Sequence, residues 1–262
     1  MGRRDRIDTR VSDVATQRWT ASDGVGLAYH EMGEGRPVVL VHGLFSSAHV
    51  NWIKFGHAAK IAATGVRVIM PDLRAHGQSS APHDPANYPD GILGRDLEEL
   101  VAQLGLADYD LGGFSLGART VVQAVGEGLT PRRAVLAGMG LEGLSGWLSR
   151  KDFFLDAIDL ADRASHGDPH WLAIQFMKTM KVDRAAAKLL LATFTDAGPE
   201  WLAAFTMPTL VLAGSEDHDN GSAPGLAEAL PNATYVAVPG THMSSVARPE
   251  FGEALAAFCE AS

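Results

Sequence analysis

Short, largely apolar runs alternate with stretches of helical periodicity along most of this chain. Strand-like runs occupy residues 25–32, 38–41, 66–70, 109–112, 133–139, 209–214 and 234–238. Between and after them, residues 52–63, 92–104, 118–125, 226–230 and 251–260 repeat their apolar positions with a helical period. Such alternation predicts an α/β fold, a mostly parallel central sheet with helices on both faces. Val38-Val39-Leu40-Val41 is apolar at every position, as a central parallel strand covered on both faces must be.

The alternation stops over residues 141–205, where no strand pattern is found. Helical patterns at 147–164, 171–180, 185–194 and 200–205 fill this stretch, and Pro169 and Pro199 stand where a helix can begin without losing a hydrogen bond. The predicted organisation is one α/β core, residues 18–140 and 206–262, carrying a helical cap at 141–205. Residues 1–17 mix charged and polar positions and read as a polar N-terminal tail. A length of 262 residues with 46% apolar and 20% charged content suits an ordinary globular chain. A formal net charge of −9 argues against nucleic acid or an anionic membrane as partner. The chain has no membrane-length apolar run and reads as cytoplasmic. Cys259 is the single cysteine; within the apolar pattern of residues 251–260 it is expected to be a buried structural thiol. Neither a metal-ligand cluster nor a dinucleotide fingerprint is visible, so no metal and no cofactor are expected.

Gly113-Phe114-Ser115-Leu116-Gly117 follows a strand-like run and opens a helical one. Strand, tight turn and helix around G-x-S-x-G make a nucleophile elbow. The two glycines leave room for the close approach of strand and helix, and the helix N-terminus points its dipole at developing negative charge. A serine hydroxyl needs a base, and the base needs an acid to orient it. Asp217 lies just past the strand at 209–214, and His242 just past the one at 234–238. In a parallel sheet the strand C-termini share one edge, so Ser115, Asp217 and His242 can converge there. Glu216 and Asp219 offer the same chemistry as Asp217.

The chain resembles the α/β-hydrolase fold family, in particular its bacterial esterase-like serine hydrolases. The resemblance rests on His42-Gly43, Asp72-Leu73-Arg74-Ala75-His76-Gly77-Gln78-Ser79, the elbow, Gly214 to Asp217, and Gly240-Thr241-His242. Ala75 and Thr241 depart from the family pattern, which usually has glycine at the first and often at the second. The family's Gly-x-x-Asp spacing favours Asp217 as the acid. The resemblance also implies an oxyanion hole from the backbone N–H groups of Leu44 and Leu116. It gives His42 a structural role, and Asp72, Arg74 and His76 are expected to brace neighbouring loops.

The implied activity is hydrolysis of small to medium carboxylic esters through a Ser-His-Asp acyl-enzyme. The same triad also serves lactonases, carbon–carbon bond hydrolases and cofactor-free perhydrolases, and a non-catalytic ligand receptor on this fold is a further alternative. Epoxide and haloalkane hydrolysis are disfavoured because those relatives carry aspartate where this chain has Ser115. The expected partner is a small-molecule ester-like substrate with an apolar part, roofed by large apolar cap residues such as Trp147, Phe153, Phe154 and Phe176; homo-oligomer formation stays open.

Overall fold

The computed structural model describes residues 14–260. Eight strands form one sheet in the order β1-β2-β4-β3-β5-β6-β7-β8. They are β1 (Ala15–Thr20), β2 (Gly26–Met32), β3 (Arg36–Val41), β4 (Val66–Asp72), β5 (Asp110–Phe114), β6 (Arg133–Ala137), β7 (Thr209–Gly214) and β8 (Ala233–Val238). From β4 to β8 every pairing is parallel, while β1 and β2 attach antiparallel at one edge. The expected α/β architecture is therefore present.

β3 shows why its sequence is apolar throughout. Val39 and Val41 pack on one face with Leu111 of β5, against α2 (Ile92–Gln103) and α3 (Leu116–Gly126). Val38 and Leu40 pack on the other, against α1 (His57–Ala62) and α11 (Pro249–Glu260). Both faces are dry, so strand alternation carries no polar positions. Cys259 is fully buried in the second face, where burial pushes its thiol up to about 12, an inert structural group.

Two expectations need correction. The polar tail expected at 1–17 is shorter, because residues 15–17 belong to β1, which pairs with β2 from Ala15↔Glu31 to Thr20↔Gly26. Of its six side chains only that of Trp19 is buried, so an edge strand with one apolar anchor leaves no hydrophobic period to read. Residues 1–13 lie outside the described residues. The helix expected at 52–63 is two pieces, a π-helical turn His49–Ile53 and α1, separated by Gly56 at φ 77°. That left-handed residue ends one helical run and begins the next.

Between β6 and β7 lie α4 (Leu141–Ser145), α5 (Trp147–Leu160), α6 (Trp171–Thr179), α7 (Arg184–Leu191) and α8 (Pro199–Ala203), with no strand among them, and α9 (Ala223–Ala229) joins β7 to β8. Trp147, Ile158, Ile174, Met177 and Leu191 form a separate apolar cluster. Phe45, from the loop after β3, joins that cluster and ties it to the sheet edge. No helix among the described residues is long and apolar enough to cross a membrane.

Candidate active site

Ser115 sits between β5 and α3 at φ 54°, ψ −113°, a conformation that costs a non-glycine residue roughly 1–3 kcal/mol. Its neighbours show what makes so tight a turn feasible. A Cβ on Gly113 would lie 2.2 Å from the Gly117 carbonyl carbon, and one on Gly117 would lie 2.1 Å from the Val41 oxygen. Only glycine fits at either position. The turn is held by the Ser115 N–H donating to the Ala137 carbonyl at 2.8 Å.

The other two expected residues arrive at the same edge. His242 opens α10 (His242–Ser245), and the Thr241 side chain caps that short helix by accepting from the Ser244 N–H. Thr241, one of the two departures from the glycine pattern, thus has a capping role of its own. His242 Nε2 lies 3.1 Å from Ser115 Oγ, and Nδ1 lies 2.9 Å from Asp217 Oδ2. The Phe114 ring stacks on the imidazole at 4.8 Å between centroids. Asp217 Oδ1 accepts the Asp219 N–H at 3.2 Å, so the carboxylate is fixed on both oxygens. Its side chain is nearly buried, whereas Glu216 and Asp219 are exposed residues. Asp217 is thus the carboxylate bonded to His242.

The loop after β3 lies opposite. The Gly43 N–H donates to Asn51 Oδ1 at 3.0 Å, the Phe45 N–H to His76 Nε2 at 3.0 Å, and the Ser46 N–H to the Gly43 carbonyl at 3.2 Å. The N–H of Leu44, between them, has no acceptor among the described residues. Leu116 is the first residue of α3, so its N–H has no partner inside the helix. Both N–H groups expected to form the oxyanion hole are thus without an acceptor among the described residues.

His76 also donates from Nδ1 to the Arg74 carbonyl at 2.9 Å. His42 repeats the arrangement, with Nδ1 donating to the Gly43 carbonyl at 2.8 Å and Nε2 accepting the Leu73 N–H at 2.9 Å. A ring nitrogen that accepts a backbone N–H is unprotonated, so both imidazoles are neutral braces. Asp72 accepts from His30 at 3.0 Å and from the N–H groups of Ala48 and Gln78, each at 2.8 Å. Fully buried Arg74 holds Asp96 through two bonds of 3.0 and 2.8 Å, and reaches Asp23 and the Asn87 carbonyl. Ala75, the other departure from glycine, accepts a left-handed φ of 64° in the middle of this network.

These braces make the fold acid-sensitive in a stated direction. Burial, then the neighbouring His42 ring, push His76 down to about 3. Burial likewise lowers His42 and His57. Unfolded histidine titrates near 6.5, so as pH falls below that value the unfolded chain takes up protons that the native rings refuse. Native stability is full above about pH 6.5 and is lost on acidification. For His76 alone the loss between about pH 6.5 and 5 is roughly 2 kcal/mol, with the other two rings adding in the same sense. Urea unfolding at both ends of that interval checks this; equal stability at the two would contradict it.

A cavity of about 590 Å³ opens over Ser115 and His242, with Phe45, Phe153, Phe154 and Phe176 among its apolar walls. A second recess of about 40 Å³ lies against Ser115, Leu44 and Leu116. Three polar residues at these walls were not anticipated from the sequence: Arg119, Arg150 and Asn220. Nothing in the pattern distinguishes them from ordinary surface positions. Asp217, Asp219 and His242 each bring one potential metal-ligand atom within 4.8 Å of the others. An ion there would compete with the hydrogen bond between Asp217 and His242.

The strand order, the elbow and the sheet-edge cluster agree with a family whose sequence model, described as alpha/beta hydrolase fold, matches residues 36–176. The chain belongs to the alpha/beta hydrolase fold family. Among curated relatives it is 34% identical over 115 residues to the non-heme chloroperoxidase CPO-A1 of Kitasatospora aureofaciens, covering 43% of this chain and 39% of that protein. It is 26% identical over 211 residues to the sn-1-specific diacylglycerol lipase ABHD11 of Mus musculus, covering 76% and 66%. The matched region is thus less than two thirds of either relative. Among solved structures, the esterase from Exiguobacterium antarcticum superposes with a TM-score of 0.76 at 20% identity, over 94% of this chain and 99% of that one. At that identity the likeness is one of fold.

Proposed function

We propose that the protein is a serine hydrolase of small to medium carboxylic esters, with Ser115 as nucleophile, His242 as general base and acid, and Asp217 as the orienting carboxylate. The observation that carries this reading is the continuous relay from Ser115 Oγ through His242 to Asp217, at 3.1 and 2.9 Å, opening into an apolar cavity. His242 Nε2 removes the Oγ proton as Oγ attacks the ester carbonyl carbon. The resulting oxyanion is received by the N–H groups of Leu44 and Leu116, which were free in advance and need no reorganisation. The protonated imidazole, stabilised by Asp217, returns its proton to the departing alkoxide. Water, deprotonated in turn by His242, then releases the acid and regenerates Ser115.

Residues 141–205 act as the cap, their Phe153, Phe154 and Phe176 supplying an apolar roof for the substrate. Ser115 argues against epoxide opening, although several curated relatives bear that name, because a carboxylate nucleophile is missing from the elbow. The resemblance to a chloroperoxidase favours one second reading, perhydrolysis, in which hydrogen peroxide replaces water at the deacylation step. Turnover of purified protein on p-nitrophenyl esters of increasing acyl length, on lactones and on a vinylogous diketone tests the assignment. Ester hydrolysis is expected; turnover of the diketone alone would overturn it.

A further inference from the structure

The recess beside Ser115 is unlike the rest of the site, because two arginines reach it. Arg119, on α3, is 8% exposed. Its Nη2 pairs with Asp196 at 3.0 Å, and Nη1 donates to the carbonyls of Gly143 and Leu144 at 3.1 and 2.7 Å. Its Nε is buried with no acceptor. Arg150, on α5, lines both the recess and the large cavity. It donates from Nη1 to Asn220 Oδ1, and Asn220, 6% exposed, is anchored in turn by donating to the Gly138 carbonyl at 2.8 Å. Among the described residues no carboxylate lies within 4.0 Å of Arg150. Asp219 and Asp217 attract it from farther off; the Asp217 carboxylate is bonded to His242, and that of Asp219 is exposed.

Two guanidiniums thus face a small space that has one directly paired carboxylate between them. Burial first, and Arg150 as a like charge, work against protonated Arg119 while Asp196 supports it. Removing cations from water without a matching anion is costly, and a planar guanidinium is shaped to take a carboxylate through two parallel N–H donors. The recess volume of about 40 Å³ holds roughly three water-sized atoms, the size of a carboxylate. Its position also selects which side of the ester it serves. The proton for the leaving alkoxide comes from His242, which lines the large cavity and not the recess. The alcohol part therefore belongs to the cavity, and the acyl part to the recess.

We propose that Arg150, supported by Arg119, is the specificity-determining anchor for a carboxylate on the acyl part of the substrate, which makes half-esters of short dicarboxylic acids the preferred class. This deepens the ester-hydrolase reading and rests on it for the orientation of the acyl group. Asn220 fixes the Arg150 side chain so that its remaining N–H groups are available to the anion.

The test compares monoethyl succinate with ethyl succinamate, which replaces the free carboxylate by a neutral amide of the same shape. The wild type is expected to favour the acid in kcat/KM. Arg150→Gln should lower that preference ratio by about 10- to 100-fold, and Arg150→Lys, which keeps the charge without the fork, by less. A role as a mere strut between α5 and Asn220 would slow both esters alike and leave the ratio unchanged, which would overturn the proposal. So would a wild type that favours the amide. Binding gives an arm independent of turnover. Calorimetric titration of Ser115→Ala with monoethyl succinate should show affinity that Arg150→Gln weakens at least tenfold. If neither ester is turned over while this binding holds, the ester reading fails and the carboxylate anchor stands; binding indifferent to Arg150 would overturn the anchor itself.

Discussion

Ser115→Ala is expected to lower kcat for ester hydrolysis by roughly 10⁶, the scale seen when the nucleophile of a serine relay is deleted. The size of the effect follows from the geometry. Ser115 Oγ is the atom in contact with His242 Nε2, and alanine leaves the imidazole with no proton to remove. Alanine accepts the same backbone space, since the crowding around the turn falls on Gly113 and Gly117 and not on the serine side chain. The variant should therefore unfold at nearly the wild-type temperature while its turnover falls to the background set by the oxyanion donors. Steady-state kinetics alongside thermal unfolding checks both halves. A variant retaining more than about a hundredth of wild-type turnover would mean that another group attacks the substrate.

Asp217→Asn is expected to cost about 10³–10⁴ in kcat with little change in KM. Asparagine keeps the shape but offers His242 Nδ1 an uncharged partner, whose amide can also present its N–H₂ side. That disfavours the tautomer with Nε2 free to accept, and it withdraws the charge that stabilises the imidazolium. Glu216→Gln and Asp219→Asn should each cost less than about tenfold, because exposed carboxylates outside the hydrogen-bonded relay contribute little. Asp219 touches the relay through its backbone N–H, which asparagine retains. A crippled Asp219→Asn beside a nearly normal Asp217→Asn would reverse the assignment.

Much of this site could be read from the chain because its demands fall on residue types. An elbow at φ 54° with a carbonyl 2.1 Å from a would-be Cβ tolerates only glycine at that place, so Gly113 and Gly117 announce the turn. Strands buried on both faces announce themselves as unbroken apolar runs, which is why β3 and β7 were legible within a residue or two. The edge was not. β1 earns its place by backbone pairing with β2, and its mostly exposed side chains carry no period.

Choosing among Glu216, Asp217 and Asp219 from the sequence needed the family's spacing, since three neighbouring carboxylates are chemically alike. In the fold, the backbone after β7 turns one of them inward to His242. Arg119 and Arg150 were hidden for a different reason. A charged residue on a helix is usually at the surface, and only the three-dimensional meeting of α3, α5 and the loop bearing Asn220 sets these two against the nucleophile.

If Ser115 is an activated nucleophile, it can be trapped covalently. A fluorophosphonate loses fluoride as a serine oxygen bonds to its phosphorus, leaving a fixed mass on the attacked residue. Intact-mass and peptide mass spectrometry after brief exposure should find one adduct, on Ser115, absent from Ser115→Ala and much slower to form in His242→Ala. An adduct on Ser149, which also lines the large cavity, or labelling of Ser115 that ignores the loss of His242, would rule out a His242-activated Ser115.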